Sequence, residues 1–301
     1  MLQKLVDQVS TIIIGKRAQI EWAVICLLAD GHLLIQDIPG VGKTTLAHAL
    51  AQSLGLSFSR VQFTSDLMPS DLLGVSVFER ASESFVFHPG PVFAQVLLAD
   101  EINRAGPRTQ SALLEVMEER QVSIEGATRP LPQPFFVLAT QNPMEQLGTH
   151  PLPESQLDRF AMCISLGYPD PKFERELLSG QDKREQMTRL KPVMTVEQWQ
   201  EMQRLVLGIH VSEALLDYLQ ALIAATRQRQ WGEQGLSPRA GLSLLKLARA
   251  RALLHGNAHV SPQDLIAIWV PAVAHRLVVS SPKGGSLDEH ARALLHAVSV
   301  P

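Results

Sequence analysis

A glycine-rich loop at residues 37–44 is the feature that most constrains how this chain can fold. An apolar run at residues 32–36 precedes the loop, and a helical pattern follows it from Thr45 onwards. A strand, a loop ending in Gly-Lys-Thr and a helix together form the context of a phosphate-binding P-loop. The chain is therefore expected to contain an α/β domain that binds a nucleoside triphosphate.

The residue types in this loop suit the binding of phosphate. Gly40 and Gly42 allow backbone N–H groups to turn inward around phosphate oxygens, and the following helix adds its own free N–H groups. Lys43 can reach the β- and γ-phosphates as a point charge, and the Thr44 hydroxyl can bind Mg²⁺. Asp37 stands where such loops usually have their first glycine. Because a carboxylate facing phosphate would repel it, we expect Asp37 to point away.

The composition is that of a globular intracellular protein. With 301 residues, of which 46% are hydrophobic, the chain is long enough for two domains. A net charge of −3 does not indicate binding to nucleic acid. Cys26 and Cys163 lie far apart in apolar runs, which favours core positions in a reducing compartment. Because the N-terminus lacks a signal peptide and the longest apolar run, residues 22–29, is too short to span a bilayer, we predict a cytoplasmic protein without membrane insertion.

Short apolar runs recur along the first half of the chain. They lie at residues 32–36, 57–63, 96–100, 135–140 and 162–166. Such runs are typical of strands that are covered on both faces of a parallel sheet, and helical patterns separate them. We predict a doubly wound α/β domain over residues 1–168. A Pro-rich break then ends the pattern, and residues 169–301 are predicted to form a smaller helical domain.

The second half has apolar residues at helical spacing and clear helix starts. The apolar residues form two sets, Leu215, Leu216, Leu219, Leu222 and Ile223, and then Leu242, Leu245, Ala248 and Ala252. Each set predicts one buried face of a helix. Ser237-Pro238 and Ser261-Pro262 each place an N-cap residue before a proline at the first helical position.

Two insertions, at about residues 75–87 and 121–131, interrupt the α/β half. Each consists of two short runs with strand character around a polar turn, which predicts a β-hairpin. The second arm of the second hairpin carries Pro130 and must therefore lie at an edge.

Two carboxylates, Asp100 and Glu101, end the apolar run at residues 96–100. Ligands of an open α/β sheet bind at the carboxyl ends of its strands, so both carboxylates are expected beside the P-loop. Asp100 suits the Mg²⁺ shell, and Glu101 suits the orientation and polarisation of an attacking water. Asn142 follows a neighbouring strand and can hydrogen-bond the γ-phosphate or that water. Without the P-loop, the carboxylates would more often form a helix cap and Asn142 a turn.

Several motifs occur in the order and spacing of one known family. They are Ile14-Gly15-Lys16, the P-loop, and the stretches at residues 99–105, 140–143, 157–160 and 236–240. With these motifs the chain closely resembles the MoxR family of AAA+ ATPases, from about residue 12 to residue 277. The stretches at residues 100–105 and 237–240 are specific to this family among AAA+ proteins.

The resemblance implies a five-stranded parallel sheet in the order 5-1-4-3-2, an all-helical lid, and a ring, usually a hexamer, with ATP between subunits. By that pattern Asn142 is sensor 1, Arg159 is an arginine finger that reaches a neighbour's γ-phosphate, and Arg239 is sensor 2. Arginine suits both tasks, because its fork stays charged and binds phosphate oxygens in pairs. The implied nucleotide-binding residues are Ile14, Gly15, Pro39, Gly40, Val41, Gly42, Lys43, Thr44 and Thr45, and the implied Mg²⁺ ligands are Thr44 and Asp100.

MoxR proteins are thought to be chaperone-like ATPases that assemble or activate protein complexes, often with a separate partner that carries a von Willebrand factor A domain. In such rings the two hairpins tend to face the pore. Both hairpins carry alternating apolar residues, such as Val122 and Ile124, and few basic ones. This suits contact with a protein better than contact with a phosphate backbone.

Two other functions stay open at this point. A nucleic-acid motor is the main alternative, since AAA+ helicases share these motifs and hairpins. The second hairpin, however, offers only Arg129 near its tip, where a strand-tracking loop needs several basic or aromatic residues. A protein that only binds nucleotide is a third possibility, and Glu101 argues against it because binding needs no water-positioning carboxylate.

Overall fold

The computed structural model describes residues 1–81, 83–143, 148–178, 183–279 and 285–300, and in its first half helices and strands alternate. The helices there are α1 (Leu2–Ile12), α2 (Arg17–Leu28), α3 (Lys43–Ser53), α4 (Pro69–Leu73), α5 (Pro107–Glu119) and α6 (Glu154–Leu157). The strands are β1 (His32–Gln36), β2 (Phe58–Gln62), β3 (Gly74–Glu79), β4 (Ser84–Pro89), β5 (Val96–Asp100), β6 (Gln121–Ile124), β7 (Ala127–Pro130), β8 (Phe136–Gln141) and β9 (Phe160–Ile164).

Five of the strands form one parallel sheet, in the spatial order β2-β5-β8-β1-β9. Numbered along the chain among themselves, these strands have the order 5-1-4-3-2, so the predicted sheet is confirmed. Its inner strands are buried because apolar cores lie on both faces. Along β1, Leu33 and Ile35 enter the core shared with α1, α2 and α3, whereas Leu34 enters the core shared with α5. This alternation follows from the two-residue period of a strand.

The two insertions form antiparallel hairpins, as predicted. β3 pairs with β4, and β6 pairs with β7. Ser82, in the turn of the first hairpin, lies outside the described residues. The second hairpin packs closely on the domain, because Val122 is only 2% exposed and the N–H of Leu131 donates to the carbonyl oxygen of Arg120 at 3.0 Å.

Every described element after β9 is a helix, apart from two isolated bridges. The helices are α7 (Pro171–Leu178), α8 (Lys183–Thr188), α9 (Val196–Gly208), α10 (Glu213–Thr226), α11 (Pro238–Leu254), α12 (Pro262–Val273) and α13 (Leu287–His296). The domain boundary after residue 168 stays a prediction. Within the described ranges, no helix has the length and apolar character needed to cross a membrane.

The start of α11 agrees with the sequence, and one of its predicted core residues does not. The hydroxyl of Ser237 accepts a hydrogen bond from the N–H of Ala240 at 3.0 Å, which caps the helix as expected. Leu242, however, is 71% exposed, so its predicted burial is wrong. The buried face of α11 runs through Ala240, Leu244 and residues one turn further, which leaves Leu242 on the opposite side.

A buried arginine joins the helical half to the sheet. Arg276, just after α12, has a side chain that is only 4% exposed. Its Nε donates to Oδ1 of Asp158 at 2.9 Å, and its Nη2 donates to the carbonyl oxygen of Phe160 at 2.9 Å, where β9 begins. Further hydrogen bonds reach the carbonyl oxygens of Ala161 and Ala272. Such a fully satisfied pair is costly to break, because removal of one partner leaves a desolvated charge behind.

We predict that Arg276→Met lowers the free energy of unfolding by about 3–5 kcal/mol, because the Asp158 carboxylate would lose its buried counter-ion. Arg204→Met is the control. Arg204 pairs with Glu201 at 2.8 Å on the exposed surface, so its loss should cost no more than about 1 kcal/mol. Urea titration of the two variants measures both values, and equal losses would contradict a structural role for Arg276.

Candidate functional site

The P-loop connects the end of β1 to the start of α3. Gly40 and Gly42 have φ angles of 85° and 96°, which residues with a Cβ rarely adopt. A Cβ placed on Gly40 would meet no heavy atom within 4 Å, so the hollow of the loop is open. Gly42 directly precedes α3, whose first N–H groups have no partner within the helix. The backbone can therefore hold phosphate oxygens. The other predicted nucleotide-binding residues of this loop and of the first helical turn, besides Lys43, are Pro39, Val41, Thr44 and Thr45.

Lys43 is a buried cation at the base of this hollow. Its Nζ donates to the carbonyl oxygen of Asp37 at 2.7 Å and to that of Ile38 at 3.2 Å. Burial lowers the pKa of Lys43, while the carboxylates of Asp37, Asp100 and Glu101 act in the opposite direction. The ammonium group therefore lies in the field of three carboxylates, and among the described residues its hydrogen-bond acceptors are loop carbonyls. A phosphate oxygen would be a stronger acceptor, because its hydrogen bond with the ammonium group is assisted by charge on both partners.

The carboxylate of Asp37 ties the start of the P-loop to the segment after β9. Its Oδ2 accepts hydrogen bonds from the N–H groups of Leu166 and Gly167 at 2.6 and 2.7 Å, and from the hydroxyl of Ser165 at 3.1 Å. Its Oδ1 accepts from the N–H of Ile38 at 2.9 Å. Because these donors occupy the carboxylate, the expectation that it is turned away from bound phosphate agrees with the structure.

Three neighbouring strands, β5, β8 and β1, end at the same edge of the sheet. β5 ends with Asp100, β8 ends just before Asn142, and β1 leads into the P-loop. Adjacent strands lie about 4.8 Å apart, so the ends of β5 and β1 are about 10 Å from each other. The predicted water-positioning residue Glu101 directly follows Asp100. The structure thus brings the predicted P-loop, carboxylates and amide together at one edge.

Asp100 is a buried carboxylate with two polar neighbours. Its Oδ1 accepts a hydrogen bond from the hydroxyl of Thr140 on β8 at 2.5 Å. Its Oδ2 accepts from Nη2 and Nε of Arg60 on β2 at 2.7 and 3.2 Å. Thr140 is fully buried, whereas the Arg60 side chain is half exposed. The threonine therefore orients the carboxylate, and the arginine supplies its positive counter-charge.

Glu101 is held by three different groups. Its backbone has a φ of 58°, in the left-handed region, and its N–H donates to the Thr140 hydroxyl at 2.8 Å. Its Oε2 accepts from the amide of Gln62 at 2.8 Å and pairs with Nε of Arg104 at 2.9 Å. A single threonine hydroxyl thus bonds both to the Asp100 carboxylate and to the Glu101 backbone. A strained backbone held in this manner is common where a side chain must be aimed at a reacting group.

The predicted nucleotide residues near the N-terminus lie beside the P-loop. A Cβ on Gly42 would come within 3.9 Å of Ile13, the neighbour of Ile14. Gly15 has a φ of 75°, and a Cβ there would lie 2.3 Å from the ring of Phe173 on α7. Residues 13–15 therefore run between the P-loop and α7, a position from which they can contact the rest of a nucleotide.

Arg159 and Arg239 lie at the opposite edge of the sheet. Arg159 directly precedes β9, which runs parallel to β1, so it is near the amino end of β1 and not near the P-loop. Its Nη1 donates to the carbonyl oxygen of Leu114 and lies 3.2 Å from Oε2 of Glu118. Arg239, in the first turn of α11, donates from Nη1 to Oε1 of Glu118 at 2.9 Å. The structure joins the two arginines through one carboxylate and brings neither to the P-loop of its own chain.

Thr44 and Asp100 are the side chains that would hold Mg²⁺. A hydroxyl and a carboxylate supply the oxygen ligands that this ion prefers, with waters and phosphate oxygens as the rest of its shell. Asp100 fits this task because its carboxylate is kept in place by Thr140 and is buried at the phosphate edge, the edge of the sheet at which β1, β5 and β8 end. Elsewhere among the described residues, no group of three or more His, Cys, Asp or Glu side chains could form a metal site.

Several side chains that support the site were not predicted from the sequence. Arg60 and Gln62 alternate along β2 and so lie on one face of an edge strand, a pattern that could have drawn attention to them. Thr140 stood within a recognised motif without a role. Glu118 is an exposed residue of an ordinary helix, and no sequence signal distinguishes it from its neighbour Glu119.

Comparisons with known proteins agree with this geometry. The family described as "ATPase family associated with various cellular activities (AAA)" matches residues 32–162, and the AAA lid domain matches residues 224–296. YeaC of Bacillus subtilis, whose function is uncharacterised, is 41% identical over all of this chain and 95% of its own length. Chaperone MoxR1 of Mycobacterium tuberculosis is 41% identical over 93% of this chain and 76% of its own.

A solved structure has the same fold as this chain. The crystal structure of a candidate ATPase from Cytophaga hutchinsonii superposes with a TM-score of 0.90 and is 34% identical, over 99% of this chain and 94% of that one. Identity at this level along nearly the whole length, with both AAA domains present, leaves one conclusion. The chain is an ATPase that belongs to the MoxR family of AAA+ proteins.

Proposed function

We propose that this ATPase works as a homo-oligomeric ring with ATP bound between subunits, and that Mg²⁺-dependent hydrolysis drives the remodelling, assembly or activation of a protein partner. The observation that carries the proposal is the separation of Arg159 and Arg239 from the P-loop. β1 spans five residues, or about 16 Å, and the P-loop and the arginines lie beyond its opposite ends. A single chain therefore holds both halves of a site but cannot close one.

The edge that carries the arginines has features of a subunit contact. The side chains of Arg239 and Glu118 are about half exposed. Leu242 lies one turn after Arg239 on α11 and is largely exposed. An exposed leucine alone is unremarkable, but an apolar residue beside partly exposed arginines is the composition expected of an interface. In a head-to-tail ring, this edge would meet the P-loop edge of the next subunit.

Within one such site, the roles follow from the chemistry. The P-loop N–H groups and Lys43 bind the phosphates, and Asn142 orients the γ-phosphate or the attacking water. Glu101 takes the water's proton as general base. Mg²⁺, when held by Thr44 and Asp100, would neutralise phosphate charge. The neighbour's arginines stabilise the charge that develops on the transferred phosphoryl group.

The supporting contacts imply a change before hydrolysis. Oε2 of Glu101 contacts both the amide of Gln62 and the guanidinium of Arg104, and Oδ2 of Asp100 accepts a hydrogen bond from Arg60. A carboxylate oxygen that already accepts hydrogen bonds has fewer lone pairs to offer to an attacking water or a metal ion. We therefore expect some of these contacts to be exchanged when ATP and the neighbouring subunit are in place.

Val122 and Ile124, which were predicted to contact a protein partner, are not the exposed apolar residues of the hairpins. Val122 is buried and Ile124 is partly buried, so the apolar side of the second hairpin faces the domain and not a partner. The exposed apolar side chains belong to the first hairpin, where Phe78 and Phe85 are 52% and 72% exposed and stack edge to face. Exposed aromatic side chains can contact either a protein or a nucleic-acid base, but this hairpin sets a single basic residue, Arg80, between Glu79 and Glu83, which suits a protein surface better than a phosphate backbone.

The second hairpin gives little support to the helicase alternative. Arg129, the basic residue near the tip of the second hairpin, lies over the ring of Phe87 with its Cζ 4.0 Å from the ring centroid. A cation–π contact of this kind uses the guanidinium within the protein. The partner role is further supported by the relative named as a chaperone. The hexameric ring size and the von Willebrand factor A partner are proposals that rest on the family resemblance, and the cytoplasmic location is a proposal that rests on the sequence pattern.

Two substitutions at the phosphate edge should separate binding from turnover. Lys43→Ala should weaken ATP binding roughly 10- to 100-fold, because it removes a charge-assisted contact worth about 1.5–3 kcal/mol. Glu101→Gln should keep ATP bound and lower kcat by at least about 10²-fold, because an amide cannot take up the proton. Equilibrium binding of a fluorescent ATP analogue and steady-state ATPase rates measure the two effects. Normal turnover in Glu101→Gln would remove that residue from catalysis.

Mixing experiments should reveal the shared site. Arg159→Ala alone should lose turnover by a factor on the order of 10³. Mixed with Glu101→Gln subunits, it should regain activity, since some interfaces then pair an intact P-loop edge with an intact arginine edge. Full activity of a protein that sediments only as a monomer with ATP would contradict the ring.

The partner surface can be tested with a trap. Glu101→Gln subunits should hold a client protein during pull-down, and the added changes Phe78→Ser and Phe85→Ser should abolish the capture while ATP stays bound. Leu207→Ser is the matched control, since Leu207 is an exposed apolar residue of α9. Wild-type ATPase should be indifferent to single-stranded and duplex DNA. Strong, salt-sensitive stimulation by DNA would instead favour a nucleic-acid motor.

A further inference from the structure

We propose that Glu118 and Asp158 build Arg159 and Arg239 into one preformed two-arginine element, and that Glu118 is a positioning residue for hydrolysis in the adjoining subunit's site. This inference rests on the proposed function in one respect, namely that the arginines act on a neighbour. It adds two acidic residues to the machinery, and neither contacts ATP directly.

The Glu118 carboxylate bridges three separate parts of the chain. Glu118 itself lies in the last turn of α5, Arg159 lies just before β9, and Arg239 lies in the first turn of α11. One carboxylate oxygen pairs with Arg159 at 3.2 Å and the other pairs with Arg239 at 2.9 Å. The two guanidinium groups are therefore set side by side, a position that their mutual repulsion would otherwise oppose.

Asp158 makes a second connection between the same two segments. Its Oδ2 accepts a hydrogen bond from the hydroxyl of Ser237 at 2.8 Å, and its Oδ1 pairs with the buried Arg276 at 2.9 Å. Ser237 is the residue that caps α11, two positions before Arg239. Asp158 thus fixes the helix start from which Arg239 extends, while its neighbour Arg159 extends from the sheet. The motifs at residues 157–160 and 236–240 form one unit.

Glu118 can remain in place while both arginines bind phosphate. A guanidinium has five N–H donors, and each arginine meets Glu118 through Nη1 alone. Within the described ranges, Nε and Nη2 of both arginines have no other partner, so these groups can donate to an incoming phosphoryl group. This geometry favours a role in orientation over a role as a latch that must open. Orientation matters because a free arginine loses about 2 kcal/mol of rotamer freedom when it is fixed.

The two arginines depend on Glu118 to different degrees. Arg159 also donates to the carbonyl oxygen of Leu114, so the core of the domain holds it in part. For Arg239, Glu118 is the single ion-pair and hydrogen-bond partner found within the described part of the chain. Loss of the carboxylate should therefore misplace Arg239 first.

Glu118→Gln tests the inference in the full-length protein, with Glu119→Gln as the matched control. Glu119 is the next residue on α5 and makes no ion pair among the described residues. At saturating ATP, Glu118→Gln should lower kcat by about 10- to 100-fold, the scale of an arginine displaced by about 1 Å. The dissociation constant for ATP should stay within about twofold, since Glu118 is at the other edge from the P-loop. Glu119→Gln should match the wild type in both measurements.

A double-mutant cycle separates positioning from any other effect. If Glu118 acts through Arg239, Glu118→Gln should reduce the activity of Arg239→Ala only slightly, and the double variant should resemble Arg239→Ala. Thermal unfolding midpoints of the single variants should match that of the wild type, since Glu118 is exposed. Because Glu118 also contacts Arg159, an equal further loss in both the Arg239→Ala and the Arg159→Ala backgrounds would overturn the inference.

The outcomes also distinguish this inference from the ring proposal. Wild-type or increased turnover of Glu118→Gln, with Arg159→Ala and Arg239→Ala both inactive and rescued by Glu101→Gln subunits, would overturn the positioning role and leave the shared site standing. Full activity of Arg159→Ala and Arg239→Ala alone would overturn both proposals. Lower kcat for Glu118→Gln, unchanged ATP binding and a non-additive cycle would support the two-arginine element.

Discussion

The parallel alignment of five strands is the constraint on which the rest of this structure depends. Because the strands run in one direction, their carboxyl ends meet at one edge and their amino ends at the other. The residues after β1, β5 and β8 converge on the P-loop, and the residue before β9 is directed to the far side. The division of the predicted site residues between two edges thus follows from the sheet itself. It explains why the proposed working unit is an assembly and not a single chain.

At the phosphate edge, a few buried polar groups keep an uncommon backbone in place. Thr140 connects the Asp100 carboxylate to the Glu101 N–H, and Glu101 has a left-handed φ. Asp37 performs the corresponding task for the loop entry, since it bonds to two N–H groups after β9. Both are short polar side chains within the fold, where a lost hydrogen bond leaves an unsatisfied buried group. The site is therefore preorganised by supporting side chains such as Thr140 and Asp37, and not only by the residues predicted to act on the nucleotide.

The sequence predicted the strands of the sheet well, because apolar strands and the P-loop leave a periodic, local signal, and the family resemblance supplied their order. It predicted side-chain pairing poorly. The contact between Glu118 and two distant arginines depends on where three elements meet in space, and nothing local in α5 reports it. Leu242 and Val122 were misassigned for a related reason, since a pattern identifies an apolar face without saying which neighbour covers it. Residue type and spacing define the elements, and tertiary packing decides which faces stay open.

A short stretch of chain connects the edge that carries the arginines to the two hairpins. α5 carries Glu118 in its last turn, and only Arg120 separates the helix from β6 of the second hairpin. Arg120 donates from Nη1 to the carbonyl oxygen of Phe135 at 2.7 Å and from Nη2 to that of Asp30 at 3.0 Å, so this connection is held by hydrogen bonds and is not a loose hinge. From there, Arg129 contacts the first hairpin through Phe87. A shift of the arginines on hydrolysis would thus act on a helix that leads into the second hairpin and, through the contact of Arg129 with Phe87, on the first hairpin, which carries the surface proposed for the partner.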